Sequence, residues 1–232
     1  EKALGAWLKP TAPLATAVSP ATVAPKTVAA TRAAAPPPLL IDMPKMGQAA
    51  VFMGRVGPSR TADDYFATLV ANDVLGGGYS ARLNAEIRIK RGLSYGAGSG
   101  LAARRFAAPI IASAQTRNDA VPQVVELMSA QLTALGTQDI ATTELASRKA
   151  VLIGGFGRSV ETVGGLAGQL SALAQFGLSP DRLQSYAADV EAITPAQANA
   201  AGKAHFDPST AALIVVGDGA VFAAKLKAKY PT

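Results

Sequence analysis

The order of segments along the chain predicts an α+β domain. Its two layers are a mixed or mostly antiparallel sheet of about four strands and a set of helices covering one face. Three observations carry this. Two β-favouring runs, 94–103 and 106–116, follow each other directly, so an antiparallel pair is expected. A long stretch of helical periodicity then separates them from a last apolar run, AALIVVG. This mixture of adjacent strands and long helical excursions disfavours an all-parallel, doubly wound sheet. At 232 residues and 49% hydrophobic, the chain can bury a core of that size.

Each element has a local reason. QAAVFMGRVG (48–57) is β-favouring and ends at Gly57-Pro58, a turn signal. Thr61 is placed to cap the helix that follows, Asp63 and Asp64 suit its positive end, and YFATLVANDVL carries apolar residues at three- and four-residue spacing. Gly76, Gly77 and Gly78 stop it. Ser80 is then placed to cap ARLNAEIRIK, with Leu83 and Ile87 on one face and Arg82, Glu86 and Lys90 on another, and Gly92 ends it. SYGAGSGLAA and FAAPIIASAQT are the paired strands; Pro109 in the second argues for an edge position or a bulge. Helices are expected near 119–135, 139–156, 161–176 and 181–192, with Asp119, Asp139 and Asp181 near their starts. Thr194-Pro195 opens a shorter one, and AVFAAKLKAKY is a terminal helix with lysines at its negative end.

Residues 1–38 read differently. Seven of the fifteen prolines fall between Pro10 and Pro38 among Ala and Thr, without a period that could bury a face. Such a segment is an extended interdomain tether, with folded structure from 39 to 232. Trp7 marks either the remnant of a preceding domain or a residue docked on this one. The first residues carry neither a basic leader with an apolar core nor an initiator methionine, which leaves the compartment open, bacterial periplasm or cytoplasm. No uninterrupted apolar run is long enough to predict a membrane span.

Charge and composition narrow the chemistry. The net charge is +6, of which residues 39–105 carry +4 and residues 106–232 carry −1. The basic excess of the folded part thus centres on RIKRGLSYGAGSG (88–100), but the aromatic interleaving of a single-strand platform is missing and nucleic acid is not the expected partner. Cysteine is absent, which excludes disulfides, thiolate metal sites and thiol nucleophiles. His205 is the only histidine, without an HxxEH or HExxH companion, so a histidine-based zinc site cannot be assembled within this chain. A locally bonded imidazole at a helix end is its simple reading. No GxSxG elbow accompanies Ser80, LGGGYSAR lacks the GK[ST] of a phosphate loop, and GAGSG does not complete GxGxxG. The triple glycine suits a close turn between packed helices, or a substrate loop formed by Gly76, Gly77 and Gly78. GGFGRSVETVGG (154–165) is either a helix interruption or a substrate-facing loop. Arg88 and Tyr95 stand on either side of the Gly92 turn, where a guanidinium and a phenol could both donate to carbonyl oxygens. The alternatives are an Arg88 that pairs with the Glu86 neighbourhood or with solvent, and a Tyr95 that is a half-buried strand aromatic.

The run NDVLGGGYSARLNAEIRIKRGLSYGAGSG resembles the second-domain signature of the M16 zinc peptidases, pitrilysin-like and mitochondrial-processing-peptidase-like proteins. The shared pattern is LGGG-[YF]-S-x-R-L, then E-I-R, then K-R-G-L-x-Y. Gln48 and the late AALIVVGD segment are similar to that domain as well, and the resemblance spans residues 39–232. It implies a C-terminal, non-zinc-binding domain of the M16-like two-layer fold. It further implies that Arg88 and Tyr95, seven positions apart, bind a substrate carbonyl and support the transition state. Zinc and the general-base glutamate would belong to another domain or subunit, and an extended peptide would be the substrate. Ile89 departs from the pattern, standing where many relatives have an acid. Two arrangements follow: a zinc-less partner subunit, toward which the resemblance leans because such partners form heterodimers in bacterial members, or the second half of a chain whose first domain holds the metal. The alternative to both is a purely structural or assembly module.

Overall fold

The computed structural model describes residues 35–230; the expectations for Trp7 and most of the tether lie outside them. Five strands, β1 (Leu39–Asp42), β2 (Ala49–Gly57), β3 (Ala97–Leu101), β4 (Ala108–Thr116) and β5 (Ala212–Gly217), form one sheet in the order β1-β5-β2-β4-β3. β1 runs parallel to β5 and every other neighbour is antiparallel. Among the described residues eight helices accompany it: α1 (Tyr65–Gly76), α2 (Arg82–Asn84, continued as a π-helical turn over Ala85–Ile89), α3 (Val121–Thr137), α4 (Thr142–Ser159), α5 (Val163–Phe176), α6 (Arg182–Glu191), α7 (Pro195–His205) and α8 (Gly219–Lys229). The α+β class and the mixed sheet agree with the sequence reading.

The core lies between one face of the sheet and the helices. β2 contributes Ala49, Val51 and Met53, β4 contributes Ala108, Ile110, Ala112 and Ala114, and β5 contributes Leu213 and Val215. Their alternation with less buried neighbours follows the period-two geometry of a strand with one covered face. Val70, Val74 and Leu75 of α1 and Val121, Val124, Val125 and Met128 of α3 meet them. On the opposite face Phe52, Val56 and Ile111 are exposed. The Thr194-Pro195 start forms a full capping box: Gln197 N–H donates to the Thr194 hydroxyl (3.2 Å) and Thr194 N–H donates to the Gln197 side chain (2.9 Å).

Three local expectations are corrected. The sheet has a fifth strand, β1, whose residues are mostly exposed and therefore show no core alternation. β4 is an inner strand despite Pro109. Pro109 C=O accepts from Ala102 N–H just beyond the last β3 pair, Leu101–Ile110, so the missing donor points to where that ladder has already ended. Thr61 does not cap α1: its hydroxyl lies 3.2 Å from that of Ser59, and the helix begins only after Asp64, which makes no side-chain cap bond.

Candidate functional site

The site grows from the end of α1. A Cβ on Gly76 would sit 2.1 Å from the Ser99 nitrogen, and one on Gly77 would sit 1.9 Å from Asp73 Oδ1. None of the three glycines has a positive φ. At Gly76 and Gly77 glycine is needed for room, and at Gly76 the helix terminus presses directly on the β3 backbone. The expected close turn is real, but the surface approached by Gly76 is a strand rather than a second helix.

The neighbouring glycine loop is tied from beneath by α4. Arg148, only 5% exposed, donates from Nη2 to the Ser80 hydroxyl at 3.0 Å. Arg82 makes a two-pronged pair with Glu144, 2.9 Å from Nε and 2.7 Å from Nη2. Ser80 is thus a partner for a distant arginine and not the helix cap expected of it; Ala81 holds the N-cap position. Asp73 lies buried at the negative end of α1. Burial pushes its carboxyl up to about 6, against the partial relief given by the Arg148 charge. Its Oδ2 has no hydrogen-bond partner among the described residues.

Beyond the loop, α2 widens. Lys90 N–H donates to Ala85 C=O, five residues back, at 2.9 Å, the signature of a π turn. Gly92, at φ +63°, reverses the chain in the left-handed region, and Leu93 N–H returns to Ile87 C=O at 3.0 Å. The Thr116 hydroxyl anchors the same turn by donating to Leu93 C=O at 2.6 Å. Lys90 and Arg91 both pair with Glu86, and their hydrogen bonds hold its carboxyl below the ordinary value. That leaves Arg88 outside the ion pairs of the described residues. Its guanidinium lies 5.1 Å from the centroid of the Tyr79 ring, a cation–π contact that keeps its hydrogen-bonding edges available. Tyr95 is 84% exposed and sits just before β3 rather than on it. Of the open alternatives, an ion pair for Arg88 and a half-buried strand position for Tyr95 are not realised among the described residues, while a solvent-facing Arg88 stays open, since that residue is exposed.

Tyr79 is the residue that sequence reasoning missed. It lies inside the quoted LGGGYS run, and its mark was an aromatic in a glycine loop, 66% exposed in the fold. Asn84 places it, donating to Tyr79 C=O at 2.6 Å while accepting from Ala97 N–H at 3.3 Å. Asn72 donates to Ser99 C=O at 3.4 Å. Because Ala102 faces β4, the alternating residues Ala97 and Ser99 direct their backbone groups outward. The two asparagines therefore occupy part of the outer edge of β3.

His205 closes α7 as expected, but its partner is remote: Nε2 lies 2.6 Å from Asp64 Oδ2 at the start of α1. Among the described residues no three His, Cys, Asp or Glu side chains converge on a common point. No described helix is long and apolar enough to cross a membrane. The GGFGRSVETVGG run (154–165) contains a helix interruption: α4 ends at Ser159 and α5 begins at Val163.

The two-layer α+β fold carries its candidate site on the glycine loop after α1 and on the Gly92 turn. Residues 1–152 match the family described as the peptidase M16 inactive domain, and the chain belongs to that family. It is similar to a peptidase M16 inactive domain from Pseudomonas fluorescens, at 26% identity and a TM-score of 0.72, over 80% of this chain and 44% of that one. A protease from Helicobacter pylori shares the fold at 17% identity and a TM-score of 0.71, over 77% and 43% of the two chains. The periplasmic protease PqqL from Escherichia coli does so at 17% identity and a TM-score of 0.63, over 80% and 21%. The chain spans less than half the length of these solved relatives. A comparison with curated proteins found no match.

Proposed function

We propose that this chain is the substrate-holding, non-catalytic part of an M16-type zinc endopeptidase assembly. Arg88 and Tyr95 present their donors to a peptide whose hydrolytic centre lies in another domain or subunit. The observation that carries the reading is the guanidinium of Arg88, supported on the Tyr79 ring, exposed, and left out of the Glu86 ion pairs that engage its basic neighbours. Zinc held by the partner would supply the activated water. The chain's own groups bind and orient: Arg88 donates to a substrate carbonyl, and the Tyr95 hydroxyl donates to the oxygen on which negative charge develops. The asparagines on β3 favour recognition by these side chains over extension of the sheet at that edge.

The test is reconstitution. The full chain, mixed with a zinc-bearing M16 domain, is expected to support cleavage of an unfolded peptide. Arg88→Ala and Tyr95→Phe should each lower turnover without lowering the melting temperature. Equal turnover by wild type and both variants refutes the assignment. Full activity of the zinc-bearing partner alone would make this chain an assembly module instead.

A further inference from the structure

The helical layer contains a cavity of about 460 Å³ that the proposed function does not use. Its walls are apolar side chains of α4, α5 and α6, among them Leu152, Phe156, Leu173 and Leu183, and its polar wall includes Arg60. Gly155 also lines it, so the glycine-rich run of α4 here serves to open space beside the helix. The Arg60 guanidinium lies 4.4 Å from the Tyr65 ring centroid and 4.9 Å from that of Phe66, two rings set at 84° to each other. Tyr186 continues the aromatic wall, edge-on to Phe66 and stacked 4.1 Å from Phe156. Arg60 makes no ion pair among the described residues. The nearby Asp189 is engaged by Arg182 at 3.3 Å and by the Ser185 hydroxyl at 2.9 Å. Burial pulls the Arg60 guanidinium below its ordinary value, as expected of a cation whose desolvation no bonded carboxylate offsets.

A planar cation held against two rings, beside an apolar cavity and without a bonded counter-charge, has a defined complement. The N–H groups that the rings leave uncovered can make a two-pronged bond to a carboxylate. We propose that this cavity binds an apolar carboxylate: Arg60 holds the anionic head, and the Phe156–Leu173–Leu183 wall takes the aliphatic or aromatic body. A peptide C-terminus ending in a large apolar residue and a free aryl or acyl acid both present that chemistry. The site is independent of Arg88 and Tyr95 and does not rest on the proposed peptidase role.

The experiment is calorimetric titration of the full chain with four probes. They are N-acetyl-L-phenylalanine, its amide, a short peptide ending in phenylalanine, and the same peptide amidated. The acids are expected to bind at least about tenfold more tightly than their amides, a difference suited to a charge-assisted pair. Arg60→Gln should erase that preference. Gly155→Leu should block the cavity while leaving Arg60 in place. It should fold, because a Cβ at Gly155 meets only the end of the Arg158 side chain at 3.8 Å and helix propensity improves. Comparable affinity for the two acids assigns the site to free carboxylates, and a preference of about tenfold or more for the peptide assigns it to chain ends. Equal binding of acids and amides, no binding of any probe, or unchanged binding by folded Gly155→Leu overturns the proposal.

Discussion

Replacing Asp73 by asparagine tests the buried charge under the glycine loop. The Asp73 carboxyl is 5% exposed and is raised from 3.8 to about 6, chiefly by burial, with Arg148 opposing. The folded protein therefore holds this proton more tightly than the unfolded chain does. Stability from the protonated group is fully present below the unfolded value and is lost as pH rises through about 6. A gap of about two pK units corresponds to about 3 kcal/mol in full, most of it lost between about pH 4 and about pH 8. Asparagine cannot titrate, so the stability difference between wild type and Asp73→Asn should shift in favour of the variant by roughly 2–3 kcal/mol across that range. Any loss from depriving Arg148 of its counter-charge adds only a constant offset. Urea unfolding of both proteins at a series of pH values measures this directly. Parallel stability curves would refute the claim that Asp73 is desolvated in the folded state.

Other outcomes follow from the same geometry. Arg88→Ala and Tyr95→Phe alter exposed side chains and should each change folding stability by no more than about 0.5 kcal/mol. If each removes a donor to developing charge, turnover of the reconstituted assembly should fall by about 10²–10³. Gly76→Ala forces a methyl group against the β3 backbone and should cost about 1–3 kcal/mol or more in chemical denaturation. Thr194→Ala removes the capping box of α7 and should cost about 1 kcal/mol by the same measurement.

Short-range signals explain most of what the sequence revealed. The helices from α3 to α8 follow from periodicity, from the Thr194-Pro195 start and from lysines at the last helix end, all readable within a few residues. β1 escaped because it is short and exposed, so no alternation marked it. Thr61 and Ser80 have the right chemistry for caps. The helix actually starts after Asp64 in one case, and in the other an arginine 68 residues away claims the hydroxyl. His205 was expected to bond locally, yet its partner is 141 residues distant, a pairing only the tertiary fold creates. The chain reversal at Gly92, between Arg88 and Tyr95, was legible because it is local. The contact of the Tyr79 ring with Arg88 was not, because it joins two residues nine positions apart across the start of α2.

The asparagines on β3 also give the sheet a direction of growth. With Ala97 N–H and Ser99 C=O already engaged by Asn84 and Asn72, a further strand arriving on that side would meet occupied bonding positions and the end of α1. The outer side of β1 pairs with no strand among the described residues. Lateral addition of another chain, productive or aggregating, should therefore begin beside Leu39–Asp42, at the opposite border from the Arg88 turn.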